Sequence, residues 1–184
     1  MKKLAGLALV VMCISGYAAA PPKDQGTEVG GVMMVPKKTI SENASNSPVL
    51  HTLYENLSAT DVDATLTDKG PFTVFAPTDD AFAKLPAGTN TNLLKDGNEA
   101  ELKKVLTYMV VPGKISSSRL KKMVKKGKGT ATLTSVEGDP ITVKAAGDVI
   151  TLTDVKGDSA VILTADVKQK NGMLHVVDGV LMPN

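Results

Sequence analysis

The sequence predicts a single α+β domain in which helices come first and strands follow. Up to about residue 126 apolar residues recur at helical spacing, whereas from Thr130 onward they alternate with polar residues as in strands. Gly-Asp pairs separate the alternating runs and are typical of hairpin turns. Helices followed by strands favour the α+β class over the repeated βαβ pattern of a parallel sheet.

Residues 1–18 are predicted to be a signal peptide. Lys2-Lys3 gives the positive start, residues 4–14 form a short apolar stretch, and Gly16 and Ala18 are the small residues expected before a cleavage site. This apolar stretch is too short to span a bilayer as a helix. Export to the periplasm or the cell exterior is therefore expected, with no transmembrane segment in the mature chain.

Cysteine usage and charge limit the kind of protein that this chain can be. Cys13 is the only cysteine, so cleavage after residue 18 leaves a core that must hold without disulfides. The alternative is a lipoprotein acylated at Cys13, although Met12 is large where such signals have a small residue. Without Lys2 and Lys3, 19 basic residues balance 19 acidic ones, and tryptophan is absent. Binding to nucleic acid is therefore not expected.

Residues 19–37 are predicted to be a flexible segment ahead of the domain, which is expected to span residues 38–184. The segment combines Gly30-Gly31 with one apolar patch at residues 32–35 and has no sustained period. Ordered structure is expected to begin near Thr39.

Three helices outside residues 70–86 and 171–181 are predicted from their ends and apolar faces. Ser47-Pro48 supplies a serine cap and a proline at the first helical position. Asn98 and Glu101 have the spacing of a capping box, and Pro112-Gly113 ends that helix. The third helix is basic and runs from Ser117 to about Lys126. The apolar faces of the first two are Val49, Leu50, Leu53 and Leu57, and Leu102, Val105, Leu106 and Met109.

The segment 70–86 contains all three phenylalanines and predicts a strand, a break and a helix. Residues 72–75 are β-branched or aromatic, and Thr78 can cap the helix that follows. Asp79 and Asp80 lie in its first turn, where acidic residues suit the helix dipole. We therefore interpret the two aspartates as structural rather than as a catalytic or metal-binding pair.

Four β-rich runs follow the helices. Asn171-Gly172 predicts a further tight hairpin, because this pair favours the positive φ that such a turn demands. His175 is interpreted as a half-buried, hydrogen-bonded structural residue. Two histidines are too few for a zinc site, no catalytic cluster is found, and neither a cofactor nor an enzyme is predicted. The runs are Thr130 to Val136, Ile141 to Ala145, Val149 to Thr153 and Ala160 to Val167.

Two of these segments, 70–86 and 171–181, resemble the conserved motifs of the fasciclin (FAS1) domain family. The resemblance covers about residues 39–184. It implies the FAS1 fold, in which antiparallel strands form a wedge or sandwich with several helices packed at one side. The residues that carry the match are Phe72, Phe75, Thr78, Asp79 and Phe82 in the first motif and Asn171, Gly172 and His175 in the second.

Residues 106–113 resemble a third motif, a tyrosine-histidine pair that has been linked to integrin-type adhesion in animal members. Tyr108 matches, but Met109 stands at the histidine position, and a thioether cannot make the polar contacts of an imidazole. Asp166-Val167 resembles the Asp-Ile core of another adhesion motif of the family. The resemblance thus makes Tyr108, Asp166 and Val167 candidate interaction residues.

A basic stretch is the second candidate surface. Such charge runs are usually solvated helix faces, and the sharper hypothesis is a patch for anionic glycans. The basic residues are Arg119, Lys121, Lys122, Lys125, Lys126 and Lys128.

The resemblance implies a non-catalytic interaction module that adheres to a cell-surface or matrix protein or to a glycan. The alternative is a binding protein for a small apolar or glycan ligand in a cleft between sheet and helices.

Overall fold

The computed structural model describes residues 26–68, 70–86, 89 and 97–184, and it has the predicted α+β architecture. Its helices are α1 (Ile40–Ala44), α2 (His51–Ser58), α3 (Val62–Asp68), α4 (Asp79–Ala83), α5 (Glu99–Tyr108) and α6 (Ser117–Lys126). Its strands are β1 (Thr27–Val29), β2 (Val32–Met34), β3 (Phe72–Pro77), β4 (Val110–Pro112), β5 (Thr130–Thr134), β6 (Pro140–Ala146), β7 (Val149–Thr153), β8 (Ser159–Gln169) and β9 (Gly172–Val177).

Strands β3 to β9 form one sheet in the order β4-β3-β9-β8-β7-β6-β5. Neighbouring strands are antiparallel except β3 and β9, which run parallel with Phe72 beside Gly172 and Pro77 beside Val177. The sheet curls on itself, since the amide of Val136 after β5 donates to the carbonyl of Val110 in β4 at 2.7 Å. The predicted fold class is confirmed, with one parallel pair next to the β4 edge of a mainly antiparallel sheet.

The core is deepest at β3 and β9, the strands of the two motifs. Every residue of both strands is buried, as is usual for strands covered on both faces. Strands β6 and β7 instead alternate buried and more exposed residues. Helix α4 packs on β3 and α2 packs on α4. Helices α2 and α4 thus lie at the β3 end of the sheet, whereas α6 contacts β5 and β6 at the other end.

The helix predicted from Ser47 begins later than expected. Residues 48–50 form a turn, and α2 starts at His51. The Ser47 hydroxyl is buried and has no hydrogen-bond partner within the described residues. Asp79 in the first turn of α4 caps α2 instead, because its Oδ1 accepts from the amide of Thr52 at 2.8 Å. The predicted serine cap is wrong, since a carboxylate from another helix takes its place.

Residues 27–34, which lie within the segment predicted to be flexible, form the β1–β2 hairpin. Gly30 and Gly31 make its turn with φ of 61° and 82°, as a two-residue hairpin loop requires. Val29 and Met34 are 3% and 1% exposed. The hairpin thus buries apolar side chains within this segment, while the flexibility of residues 19–37 stays a prediction. The Gly-Gly pair between valines was the sequence signal for the hairpin.

Helix α5 ends at Tyr108, and the sequence pattern gave no sign of strand β4 immediately after it. Asn98 stands at the N-cap, but its side chain makes no capping hydrogen bond, so the predicted capping box is wrong. The Glu99 carboxylate accepts from the amide of Gly97 at 3.3 Å. The predicted apolar face is confirmed by the burial of Leu102, Val105, Leu106 and Met109.

The turn between β8 and β9 fastens three parts of the chain. The side-chain oxygen of Asn171 accepts from the amide of Ile40 at 3.0 Å, and the backbone carbonyl of Asn171 accepts from the amide of Phe72 at 3.1 Å. Gly172 begins β9, and a Cβ there would lie 2.0 Å from the carbonyl oxygen of Phe72. The hairpin is confirmed, but the predicted reason is wrong, since neither Asn171 nor Gly172 has a positive φ.

Residues 1–25 lie outside the described residues. The signal peptide, its cleavage after Ala18 and the lipoprotein alternative at Cys13 therefore stay predictions. Among the helices that the structure describes, none has the length and apolar character needed to cross a membrane.

Candidate functional site

Helix α6 is built to present one polar face. The Ser116 side chain caps it by accepting from the amide of Arg119 at 3.3 Å. Leu120 and Val124 are buried, and Met123 packs against the core beside them. The helix contacts β5 and β6. Three apolar side chains at helical spacing hold α6 to the sheet, which turns the remaining positions outward.

The outward positions of α6 carry most of the predicted basic residues. Lys121 pairs with Asp148 in the β6–β7 turn, with Nζ 2.7 Å from Oδ1. This contact lowers the pKa of the Asp148 carboxyl. Within the described part of the chain the other five have no ion-pair partner. These five residues are all exposed, and they are Arg119, Lys122, Lys125, Lys126 and Lys128. We call these five residues the basic face.

The basic face is concentrated at the C-terminal end of α6. Lys125 and Lys126 lie in the last turn, where cations are stabilised by the negative end of the helix dipole. Lys128 has φ of 57°, a left-handed conformation that normally costs a non-glycine residue about 1 kcal/mol or more. The amide of Gly129 donates to the carbonyl of Val124 at 3.0 Å and fixes this end of the helix.

Asp166 holds the other end of α6 to the sheet. The residue has φ of 61° and lies where the register between β8 and β9 shifts. Its Oδ1 accepts from the amide of Ser117 at 2.7 Å, and its Oδ2 accepts from the Ser117 hydroxyl at 2.5 Å. The carboxylate therefore acts as an anchor for the first residue of α6.

His175 fixes the backbone of that anchor from inside the core. Its Nδ1 accepts from the amide of Asp166 at 3.2 Å, which leaves the proton on Nε2 to donate to the carbonyl of Ile115 at 2.9 Å. The ring stacks on Phe75 with centroids 5.7 Å apart. His175 is fully buried rather than half-buried as predicted. Burial lowers the pKa of its imidazole.

The positions that match the family's adhesion motifs face inward. Tyr108 and Val167 are both 0% exposed, and Met109 is 1% exposed. The Tyr108 hydroxyl donates to the carbonyl of Pro140 at 2.8 Å. Burial, together with the charge of Asp154, raises the pKa of Tyr108 to about 12. In this conformation Tyr108 and Val167 cannot touch a partner, and Asp166 is committed to α6.

The remaining motif residues shape the core and its helix ends. Phe72, Phe75 and Phe82 are all buried. Thr78 caps α4 as predicted, since its hydroxyl accepts from the amide of Ala81 at 3.2 Å. The second role of the adjacent Asp79, capping α2, was not predicted, because nothing in the spacing of the sequence places the two helix starts side by side.

The described residues offer little for cofactor or metal chemistry. Histidine, cysteine, aspartate and glutamate side chains within this part of the chain form no group of three or more that could hold a metal ion. His175 is occupied on both nitrogens by backbone groups. The arrangement is suited to presenting a surface.

Comparison with known proteins agrees with this architecture. Residues 48–183 match the fasciclin domain family. The protein sll1483 of Synechocystis is 40% identical over 145 residues, which cover 79% of this chain and 73% of that protein. The cell surface glycolipoprotein MPT83 of Mycobacterium tuberculosis is 36% identical over 171 residues, which cover 91% and 69%.

A solved structure shows the same fold. The FAS1 domain pair from the insect cell adhesion molecule fasciclin I superposes with a TM-score of 0.71 at 19% identity. The match covers 82% of this chain and 53% of that one, so this chain spans about half of the domain pair. With about three quarters of its length matched by the family and a relative at 40% identity, this chain belongs to the fasciclin (FAS1) domain family.

Proposed function

We propose that this protein is an adhesion module of the cell envelope that binds an anionic glycan through the basic face of α6. Membership of the fasciclin family and the cell surface glycolipoproteins among the relatives support a non-catalytic role at the cell surface. The observation that carries the glycan proposal is the basic face itself: five exposed cations within ten residues, none of them ion-paired among the described residues.

The rigidity of α6 supports this function. A partner that binds several charges at once gains most when those charges are already in place. Ser117 is anchored by Asp166, and Leu120 and Val124 are buried, so both the start and the middle of the helix are fixed. The Lys121–Asp148 pair adds a tie to the β6–β7 turn.

A protein contact through the Asp166-Val167 region is the second candidate. It is supported by the match to a family adhesion motif, but the burial of Val167 and the contact between Asp166 and Ser117 weigh against direct recognition by these side chains. Asp166 would then act by positioning α6.

Export is part of the proposal. The predicted signal peptide and the cell surface glycolipoprotein named among the relatives both support a location in the periplasm or outside the cell. Mass spectrometry of the mature chain would separate cleavage after Ala18 from an acylated N-terminus at Cys13.

Charge reversal tests the basic face. We expect the variant with Arg119, Lys122, Lys125 and Lys126 replaced by glutamate to lose binding to dextran sulfate, measured by titration calorimetry across a salt series. Four exposed contacts of roughly 0.5 kcal/mol each correspond to about a 30-fold loss of affinity. Wild-type binding should weaken as salt rises, since charges are screened beyond about 8 Å at physiological ionic strength.

A matched variant separates a specific face from net charge. Reversing four exposed lysines elsewhere, Lys103, Lys114, Lys156 and Lys168, changes the net charge by the same amount. This control should keep most of the affinity, and neutral dextran should not bind. Equal losses in the two variants would show that α6 is not the site.

A further inference from the structure

A cleft beside the tip of the β1–β2 hairpin is not explained by the basic face. It has a volume of about 330 Å³, at the lower end of the range for ligand sites. Five segments line it: the tip of the β1–β2 hairpin, the residues before α2, the start of α4, the middle of β8 and the end of β9. None of these segments belongs to α6.

The walls of the cleft are held in place by backbone contacts. The amide of Asp79 donates to the carbonyl of Val49 at 2.9 Å, and the amide of Thr78 donates to the carbonyl of Val177 at 3.1 Å. At the hairpin tip, a Cβ on Gly30 would lie 2.6 Å from a methyl carbon of Val49. The hairpin therefore closes tightly on the start of α2, and the cleft is preformed.

The lining is mixed, with apolar side chains beside Thr78, Thr164, Asp79 and Asp80. Val29, Val49 and Val176 contribute apolar wall, and Leu163 in β8 is 58% exposed, an uncommon exposure for a large apolar side chain in this domain. Asp79 uses its carboxylate on the amides of α2. Asp80 is exposed, and within the described residues no cation lies within ion-pair distance of it. The cleft thus combines apolar walls with one available negative charge.

We infer that this cleft is a docking site for a peptide segment of a partner protein that presents a branched aliphatic residue next to a lysine or arginine. The aliphatic side chain packs against Leu163 and Val176, and the cation reaches the Asp80 carboxylate. The backbone of a peptide orients its side chains, so a peptide can place an aliphatic group on the apolar wall and a cation at Asp80 at the same time. Charge complementarity excludes acidic segments, and the site is independent of the basic face.

Blocked dipeptides provide the test, with backbone amide NMR shifts of the wild-type domain as the readout. Acetyl-Leu-Lys-amide at millimolar concentration should shift the amides of Val49, Leu163 and Val176. Acetyl-Leu-Glu-amide and acetyl-Ala-Lys-amide should bind this cleft more weakly, because each lacks one of the two contacts. Asp80→Asn should weaken the Leu-Lys peptide by about fivefold, the size of one exposed ion pair.

Matched variants keep the test specific. Leu163→Ser should weaken binding about fivefold or more, because it removes apolar wall, whereas Met33→Ser, at a residue 53% exposed outside the cleft, should not. Asp158→Asn is the control for Asp80. The α6 charge-reversed variant should bind the peptide as the wild type does. Shifts elsewhere, no shifts, or equal binding of all three peptides would overturn the proposal and leave the glycan proposal untouched.

Discussion

Asp166 and His175 link the buried core to an exposed helix through hydrogen bonds alone. The imidazole accepts from the backbone of Asp166, and the Asp166 carboxylate holds Ser117. The sequence could predict that His175 is structural, because it lies in an apolar strand. It could not predict the anchor, because the positive φ of Asp166 arises from a register shift between two strands.

The buried imidazole should make stability depend on pH. Burial lowers the pKa of His175 below its usual value of 6.5, so the unfolded chain binds a proton that the folded domain does not. The free energy of unfolding should therefore fall as pH drops below about 6.5, with a slope of at most about 1.4 kcal/mol per pH unit, until the lowered pKa is reached. Denaturant unfolding between neutral pH and the onset of carboxylate titration measures this slope.

NMR of the ring nitrogens checks the same prediction without a core substitution. The wild-type His175 ring should stay neutral, with its proton on Nε2, at pH values just below the usual histidine pKa of 6.5. His51→Gln, at an exposed residue, serves as the control that assigns the ring signals to His175. A His175 ring that titrates at or above its usual pKa would contradict the prediction.

At the scale of elements, helices α2 and α4 are joined at their N-termini by neighbouring aspartates with different roles. Asp79 caps α2 across the gap between the helices, while Asp80 faces solvent. Thr78 could be identified as the cap of α4 because cap and helix are adjacent in sequence. The cap of α2 could not, because its donor and acceptor are 27 residues apart.

The two aspartates form a matched pair for mutation. Asp79→Ala should lower the free energy of unfolding by about 1–2 kcal/mol, since the first amides of α2 lose their acceptor. Asp80→Ala should change it by no more than about 0.5 kcal/mol, as is usual for an exposed side chain. Urea unfolding of both variants measures the difference. Similar values for the two would argue against the cap between helices.

At the scale of the whole molecule, the two segments that match the family motifs, 70–86 and 171–181, meet as the parallel strands β3 and β9. The α+β class and most strand positions were predictable, because turn residues and alternation are local signals. The strand order was not, because pairing joins residues that are far apart in the chain. The basic face could likewise be predicted from helical spacing within one segment, whereas the cleft is built from five separated segments.

Replacement of Phe75 measures how much the core depends on the parallel pair of β3 and β9. Its side chain is 0% exposed and stacks on His175, so Phe75→Ala should cost about 3–5 kcal/mol of unfolding free energy. Phe82, which is 4% exposed, should show a loss in the same range. Met33→Ala, at an exposed residue, serves as the control. Chemical denaturation that shows less than about 1 kcal/mol for both phenylalanines would place the core elsewhere.

The pairing of β3 with β9 also constrains the order in which the protein can fold. Until β9 has been synthesised, β3 has only the three-residue strand β4 beside it, and the edge that β9 will occupy is open. Long-range pairing of this kind slows folding and leaves an unpaired edge exposed to other chains in the meantime. A nascent chain that stops short of residue 172 would therefore present β3, which is buried throughout in the folded domain and contains two of the three phenylalanines, as a template for aggregation.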